Sequence, residues 1–270
     1  MEKKLSISET FTQLKQNNKC AFIPFITAGD PNLEITKKAL TILSEEGADI
    51  IEIGIPYSDP LADGPVIQEA SARALKNGIT LDKILKAVQE VQNMIASPLI
   101  AFTYYNIILN HGINKFVNQI VQAGFKGILV PDLPIEEIDI LEKECKKRNL
   151  ELILLIGPNS SKTRIKKIIK KAHGCLYLVS STGVTGMKFG PNSYIESLIQ
   201  QIKQISQQAL IVGFGISTQD NIKLVQSWGV DGIVMGSSFV KQLFQASSDP
   251  ELYAFRDYCQ RIKHYMEIYK

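Results

Sequence analysis

The chain has 270 residues, 45% of them hydrophobic and 21% charged, and a formal net charge of +3. This composition is ordinary for a globular protein and lacks the basic excess of nucleic-acid-binding surfaces, so we expect no nucleic-acid partner. The four cysteines lie far apart and form no CxxC pair, which argues against a zinc site and against a disulfide framework.

The N-terminal segment MEKKLSISETFTQLKQ has no continuous apolar run, and no later segment approaches the length of a membrane span. The sequence therefore predicts a soluble protein with no membrane partner. The abundance of Lys, Asn and Ile is compatible with an AT-rich genome, so we expect either a bacterial cytoplasm or, for a plastid-encoded protein, the plastid stroma.

Short β-rich runs alternate with helix-patterned segments along the whole chain. The eight runs, in order, are AFIPFIT, DIIEIGI, PLIAFTYY, GILVPDL, LELILLI, CLYLVSS, ALIVGFG and DGIVMGS. The segments between them carry apolar residues on one helical face, namely Ile35, Ala39, Ile42 and Leu43, then Ile135, Ile138, Leu141 and Cys145, then Ile195, Leu198, Ile199 and Ile202. Apolar strands that alternate with one-sided helices predict a parallel sheet with helical crossovers.

Eight such units predict an α/β protein whose residues 1–270 form a single (β/α)8 TIM barrel domain. Ser6 and Glu9 form a capping-box pattern, which predicts an extra N-terminal helix that closes the bottom of the barrel. The second unit is long enough for an additional helix, with one near Val66–Leu75 and another near Leu81–Ile95. An open doubly wound sheet would use the same alternation, and the count of eight favours the barrel, whose chemistry would lie at the C-terminal ends of the strands.

Glu52 lies inside the second apolar run, flanked by isoleucines at positions 50, 51, 53 and 55. Successive side chains of a strand point to opposite faces, so Glu52 and Gly54 are predicted to point into the barrel if the isoleucines pack against the helices. A carboxylate there is costly unless it is paired, protonated or in contact with a substrate. A structural ion pair is the alternative, but the neighbouring strands carry no well-placed Arg or Lys.

Two aspartates follow in the loop SDPLADGP. Asp59 fits a turn or a contact with a partner chain, and Asp63 could also be a turn former or helix cap. A second carboxylate beside Glu52 would instead give a pair that divides acid and base roles, in which the buried member has a raised pKa and the exposed member, Asp63, stays ionised.

Glycine loops follow the last three runs, in STGVTGMKFGP, GFGIST and MGSSF. Glycines let backbone N–H groups approach a phosphate, and a helix that begins at SSFVKQ adds the positive end of its dipole. A phosphate site after strands seven and eight is frequent in such barrels. The apolar residues near strand ends, Phe25, Phe102, Tyr104, Leu129, Tyr177 and Phe214, would line a pocket for a flat apolar body, although core packing explains any one of them.

These residues give the chain a close resemblance to the tryptophan synthase alpha chain family over nearly all its length. The resemblance lies in PFITAGDP, IEIGIPYSDPLADGPVIQ, VPDLP, STGVTG, GFGIS and GSSFVK, in that order. It implies a lyase of tryptophan biosynthesis, which cleaves indole-3-glycerol phosphate to indole and glyceraldehyde 3-phosphate by a retro-aldol reaction. It also implies no metal and no cofactor in this chain, with pyridoxal phosphate only in a partner beta subunit of an αββα heterotetramer that channels indole.

Carried over by position, the resemblance makes Glu52 the acid–base carboxylate and Asp63 the acceptor for the indole N–H. It assigns substrate contacts to Phe25, Phe102, Leu129, Tyr177 and Phe214, and phosphate contacts to Gly186, Gly215, Gly236 and Ser237. Two other hypotheses stay open from the sequence, namely another phosphate-binding barrel enzyme, such as an isomerase or prenyl transferase, and a non-catalytic barrel that only regulates a beta subunit.

Overall fold

The computed structural model describes residues 4–179, 193–213 and 215–268. In this part of the chain, eight parallel strands close into a barrel in sequence order. The strands are β1 (Ala21–Thr27), β2 (Ile51–Gly54), β3 (Leu99–Phe102), β4 (Phe125–Leu129), β5 (Glu151–Ile156), β6 (Cys175–Val179), β7 (Ala209–Gly213) and β8 (Gly232–Met235). Since β8 pairs with β1, the sheet has no edge, and the predicted TIM barrel is confirmed over the open sheet.

The helices lie outside the strands, apart from the first. They are α1 (Ile7–Gln16), α2 (Leu33–Glu45), α3 (Pro65–Lys76), α4 (Leu81–Val91), α5 (Tyr105–His111), α6 (Ile113–Gln122), α7 (Asp139–Lys147), α8 (Lys162–Lys171), α9 (Ser193–Ile205), α10 (Gln219–Ser227), α11 (Ser237–Ala246) and α12 (Tyr253–Ile268). Helices α3 and α4 confirm the additional helix in the second unit.

Two apolar cores lie on opposite sides of the barrel wall. Ile51 and Ile53 belong to the outer core between strands and helices, whereas Phe25 and Ile100 belong to the inner core. The alternation that was predicted for β2 is therefore confirmed. Ile50 is an exception among the isoleucines, because it has the same parity as Glu52 and lies in the inner core.

Helix α1 closes the bottom of the barrel, as predicted. The capping box is formed, since the Ser6 hydroxyl accepts from the Glu9 backbone N–H at 3.1 Å and the Glu9 carboxylate accepts from the Ser6 N–H at 2.6 Å. Ile7 is fully buried in the inner core, and a Cβ at Gly127 of β4 would lie 3.3 Å from it. The capped helix thus places its apolar face against the lower ends of the strands.

The main differences from the sequence-based elements lie at their ends. The Ile135–Cys145 pattern predicts a helix, but α7 begins only at Asp139, and Ile135 and Ile138 are buried in the turns before it. Several strands are shorter than the apolar runs; β3, for example, ends at Phe102, although Thr103 and Tyr104 beyond it are also buried. Among the described residues, no helix is both long and apolar enough to cross a membrane.

Candidate active site

Glu52 lies inside the barrel on β2, in register with Phe25 of β1 and Ile100 of β3. Its side chain is almost fully buried, and its Oε1 atom has no hydrogen-bond partner among the described residues. Burial raises the pKa of the Glu52 carboxyl to about 8, and the negative charge of Asp63 contributes to the same shift. No cationic group contributes to this shift, so the structural ion pair that the sequence left open is not formed by the described residues.

Asp63 is also buried, which corrects the expectation that it would be the exposed member of the pair. Burial raises its pKa to about 6, and a hydrogen bond from Tyr104 acts in the opposite direction. The Tyr104 hydroxyl donates to Oδ2 of Asp63 at 3.0 Å and accepts from the backbone N–H of Ala62 at 3.1 Å. The sequence did not indicate this burial because it arises when the loop after β2 packs onto the side chain that follows β3.

The two carboxyl groups nevertheless have different protonation states near neutral pH. With pKa values of about 8 and about 6, Glu52 holds a proton at pH 7 whereas Asp63 is mostly ionised. The site therefore presents a proton donor deep in the barrel and a negative charge near its mouth. This arrangement suits general acid–base chemistry on a substrate in which positive charge develops.

Tyr104 is a site residue whose role was missed by the sequence analysis, which placed it only among the pocket-lining residues. Its ring stacks on Tyr57 with a centroid distance of 5.1 Å, and the Tyr57 hydroxyl accepts from the side-chain amide of Asn106 at 3.0 Å. The stack connects the loop after β2 to the start of α5. The available signal was the parity of Phe102 and Tyr104, which puts both side chains on the inner face.

The predicted apolar lining is brought together in the inner core. Phe25, Phe102, Leu129 and Tyr177 all lie there, and the rings of Phe25 and Phe102 meet edge to face at 5.5 Å. Two glycines make room for the rings. A Cβ at Gly54 would lie 2.4 Å from Phe25, and a Cβ at Gly213 would lie 2.0 Å from the Tyr177 hydroxyl.

Three of the predicted phosphate residues, Gly215, Gly236 and Ser237, follow β7 and β8. Gly236 caps α11, whose first residue is Ser237, and among the described residues no side chain makes a capping hydrogen bond at this helix end. Gly215 has a φ of +76°, where a residue with a side chain would be strained. The first N–H groups of an α-helix have no partner within the helix, so together with the positive end of the dipole the N-terminus of α11 can hold an anion.

The arrangement agrees with comparisons with known proteins. Residues 11–267 match the family described as tryptophan synthase alpha chain. The alpha chain of Pyropia yezoensis is 52% identical over 259 residues, which cover 96% of this chain and 98% of the relative. The chain belongs to the tryptophan synthase alpha chain family. The alpha chain of Trichodesmium erythraeum is 48% identical over 260 residues, with 96% of this chain and 98% of the relative covered.

Solved structures of tryptophan synthase share the fold. The crystal structure of tryptophan synthase subunit alpha from Legionella pneumophila has a TM-score of 0.88 and 33% identity, and the match covers 98% of this chain and 99% of that chain. The chain is therefore a lyase that carries out the alpha reaction of tryptophan biosynthesis. The sequence-based prediction of family and activity is confirmed, and the isomerase, prenyl transferase and purely regulatory hypotheses are set aside.

Two of the predicted site residues are not described by the structure. Gly186 and Phe214, with the STGVTGMKFGP loop, lie outside the described residues.

Asp59 is exposed and accepts a hydrogen bond from the Ser58 hydroxyl at 2.9 Å, a local contact that fits a turn. Among the described residues, no three His, Cys, Asp or Glu side chains are grouped closely enough to hold a metal ion.

Proposed function

We propose that Glu52 and Asp63 are the residues with which this chain cleaves indole-3-glycerol phosphate to indole and glyceraldehyde 3-phosphate. The observation that carries the proposal is the pair of buried carboxyl groups, one inside the barrel and one near its mouth, whose pKa values of about 8 and about 6 lie on either side of neutral pH. Such a pair can supply a proton and accept positive charge at the same time.

The reaction needs two proton movements about one carbon–carbon bond. Protonated Glu52 donates its proton to C3 of the indole, which gives an indolenine cation with an N–H bond. The resulting Glu52 carboxylate takes the proton from the hydroxyl on the adjacent glycerol carbon. The bond between C3 and that carbon then breaks, its electrons restore the aromatic indole, and the hydroxyl carbon becomes the aldehyde of glyceraldehyde 3-phosphate.

Asp63 stabilises the cation in this scheme. Its carboxylate accepts the indole N–H and attracts the positive charge that develops on the ring nitrogen. Tyr104 fixes the orientation of that carboxylate through the hydrogen bond of 3.0 Å. Since both proton transfers use Glu52, the proposed mechanism needs no metal and no organic cofactor in this chain.

The pocket holds the two ends of the substrate separately. Phe25, Phe102, Leu129 and Tyr177 offer an apolar surface for the indole ring, with Phe214 as a further proposed contact. Gly215, Gly236 and Ser237 offer backbone N–H groups to the phosphate, and we assign Gly186 to the same role. Burial raises the pKa of the Tyr177 hydroxyl well above its usual value, so the phenol stays neutral beside the negatively charged substrate.

The proposal includes a beta subunit as the partner. Relatives with solved structures include tryptophan synthase from Mycobacterium tuberculosis, whose matched chain has a TM-score of 0.88 and 28% identity to this chain. We propose an αββα heterotetramer with pyridoxal phosphate in the beta subunit only. The relatives in cyanobacteria and Pyropia are consistent with a bacterial cytoplasm or a plastid stroma as the location.

The test is indole release from indole-3-glycerol phosphate by the purified chain, alone and with a tryptophan synthase beta subunit. Glu52→Gln should bind the substrate but lose turnover by on the order of 10²–10⁴-fold, because it can neither donate nor accept the proton. Glu137→Gln, at an exposed glutamate, is the matched control and should keep normal turnover. Near-normal indole release by Glu52→Gln would overturn the assignment, and no release by the folded wild-type chain in either setting would mean that the substrate is wrong.

A further inference from the structure

Helix α3 carries Asp63 at its N-terminal end. Asp63 precedes the first helical residue, Pro65, by two positions, and the Gln68 side-chain amide donates to the Asp63 carbonyl at 2.9 Å. The backbone of Asp63 is thus held by the helix, whereas the loop before it is exposed, with Leu61 85% accessible. The position of Asp63 therefore depends on how α3 is fixed.

The first turn of α3 also lies against the phosphate end of the site. Ile67 is buried, and a Cβ at Gly236 would lie 3.6 Å from its Cδ1 atom. Helix α3 is consequently a direct connection between the carboxylate that faces the indole and the N-terminus of α11.

The C-terminal half of α3 is held by Arg73. Its Nε and Nη2 atoms donate to the two carboxylate oxygens of Asp30, each at 2.8 Å, and the Asp30 side chain is only 3% exposed. The guanidinium group lies 4.0 Å from the centroid of the Phe244 ring on α11. One turn later, the Asn77 side-chain amide donates to the carbonyl of Pro31 at 2.9 Å. Arg73 thus joins three elements, namely the loop after β1, α3 and α11.

We propose that Arg73 is a positioning residue of the alpha reaction, which sets the distance between Asp63 and the phosphate-binding end of α11. The inference rests on the proposed function, because it takes Asp63 and Gly236 as the contacts for the two ends of the substrate. The planar guanidinium is suited to this task, since it binds a carboxylate through two parallel hydrogen bonds and stacks on an aromatic ring at the same time. A lysine keeps the charge but loses both features.

A substrate held at two ends is sensitive to the distance between them, whereas a ligand held at one end is not. The test therefore compares two ligands of the full-length chain in complex with the beta subunit. One is glycerol 3-phosphate, which needs only the phosphate end, and the other is an indole ring joined to phosphate by a three-carbon chain. Turnover of indole-3-glycerol phosphate is measured in parallel.

Arg73→Lys should weaken the binding of the indole–phosphate ligand and lower kcat, each by about tenfold. This size is expected because a misplacement of roughly 1 Å at a reacting group can lower the rate by up to about 10²-fold. The dissociation constant of glycerol 3-phosphate should change by less than about twofold, because its contacts do not depend on the distance. Phe244→Leu removes the ring contact without leaving a buried charge unpaired, and it should give a smaller change of the same kind. If Arg73→Lys does not fold, the result for Phe244→Leu decides whether this contact positions the two ends of the site.

The matched control is Glu69→Gln on the same helix. Glu69 approaches Arg73 at 3.9 Å but is 72% exposed, so its loss should leave both ligands and kcat unchanged. Equal weakening of the two ligands by Arg73→Lys, or unchanged binding and turnover, would overturn the positioning role. Normal turnover by Asp63→Asn would instead refute the proposed function, so the two failures are distinguishable.

Discussion

Replacing Glu52 with glutamine should make the folded chain more stable at alkaline pH while it removes activity. The carboxyl is buried and has no cationic partner in the part of the chain that the structure describes, so its charged form is disfavoured in the folded chain and its pKa rises from 4.5 to about 8. Ionisation is therefore easier in the unfolded chain. The wild type should lose stability as the pH rises from about 4.5 to about 8, whereas glutamine does not ionise.

The magnitude follows from the difference between the two pKa values. A difference of one pKa unit is equivalent to about 1.4 kcal/mol, so the shift from 4.5 to about 8 is equivalent to roughly 5 kcal/mol once the pH exceeds both values. Part of this cost, about 1 kcal/mol, is already present near pH 5, which leaves about 4 kcal/mol to develop between about pH 5 and about pH 8.5. The unpaired amide of glutamine adds a cost of about 1–3 kcal/mol, but that cost does not vary with pH.

The assay is urea unfolding of wild type and Glu52→Gln at these two pH values, with the free energy of unfolding compared between the proteins at each pH. The variant should gain about 4 kcal/mol relative to wild type between the lower and the higher pH. Glu137→Gln, at an exposed site, should differ from wild type by less than about 0.5 kcal/mol at both. A difference between Glu52→Gln and wild type that is the same at both pH values would refute the buried, proton-binding state of Glu52.

Three further predictions concern the same pocket. Asp63→Asn should lower the pKa of Glu52, since the charge of Asp63 helps to raise it, and an unchanged value in a carboxyl NMR titration would contradict the coupling. The kcat/KM of the wild type should rise through about pH 6 and fall above about pH 8. In the wild type the hydrogen bond from Tyr104 lowers the pKa of Asp63, so Tyr104→Phe should raise this pKa and move the acid limb of the pH profile to higher pH. An acid limb that does not move would show that Tyr104 does not affect this titration. Gly213→Ala should raise KM without unfolding the chain, because its methyl group would lie 2.0 Å from the Tyr177 hydroxyl, and a normal KM would show that the ring does not contact substrate.

Local patterns were sufficient to predict the barrel and the direction of Glu52. The parity of β2 depends only on the alternation of side chains along a strand, and it placed Glu52 inside before any contact was known. The capping box at Ser6 and Glu9 likewise contains its own hydrogen-bonding partners within one turn. Features of this kind are set by neighbours in sequence, so they can be read without the tertiary structure.

Contacts between distant parts of the chain could not be predicted in the same way. Tyr104 and Asp63 are 41 positions apart, and Arg73 and Asp30 are 43 positions apart. The burial of Asp63 depends on the first of these contacts, which is why its exposure was predicted wrongly. Ile135 and Ile138 show the same limitation, because apolar residues in a buried turn repeat at a spacing that also fits a helix.

The closure of the barrel floor by α1 has a consequence for the chemistry at the opposite end. Ile7 and Phe11 belong to the same inner core as Phe25 and Tyr177, so helix α1 excludes water from the interior around Glu52 from below. The proton affinity of Glu52 comes first from its removal from water. Helix α1 makes no proposed contact with the substrate, yet it helps to set the pKa of the group that protonates the substrate. The acid strength of the active site therefore depends on packing at the opposite end of the barrel.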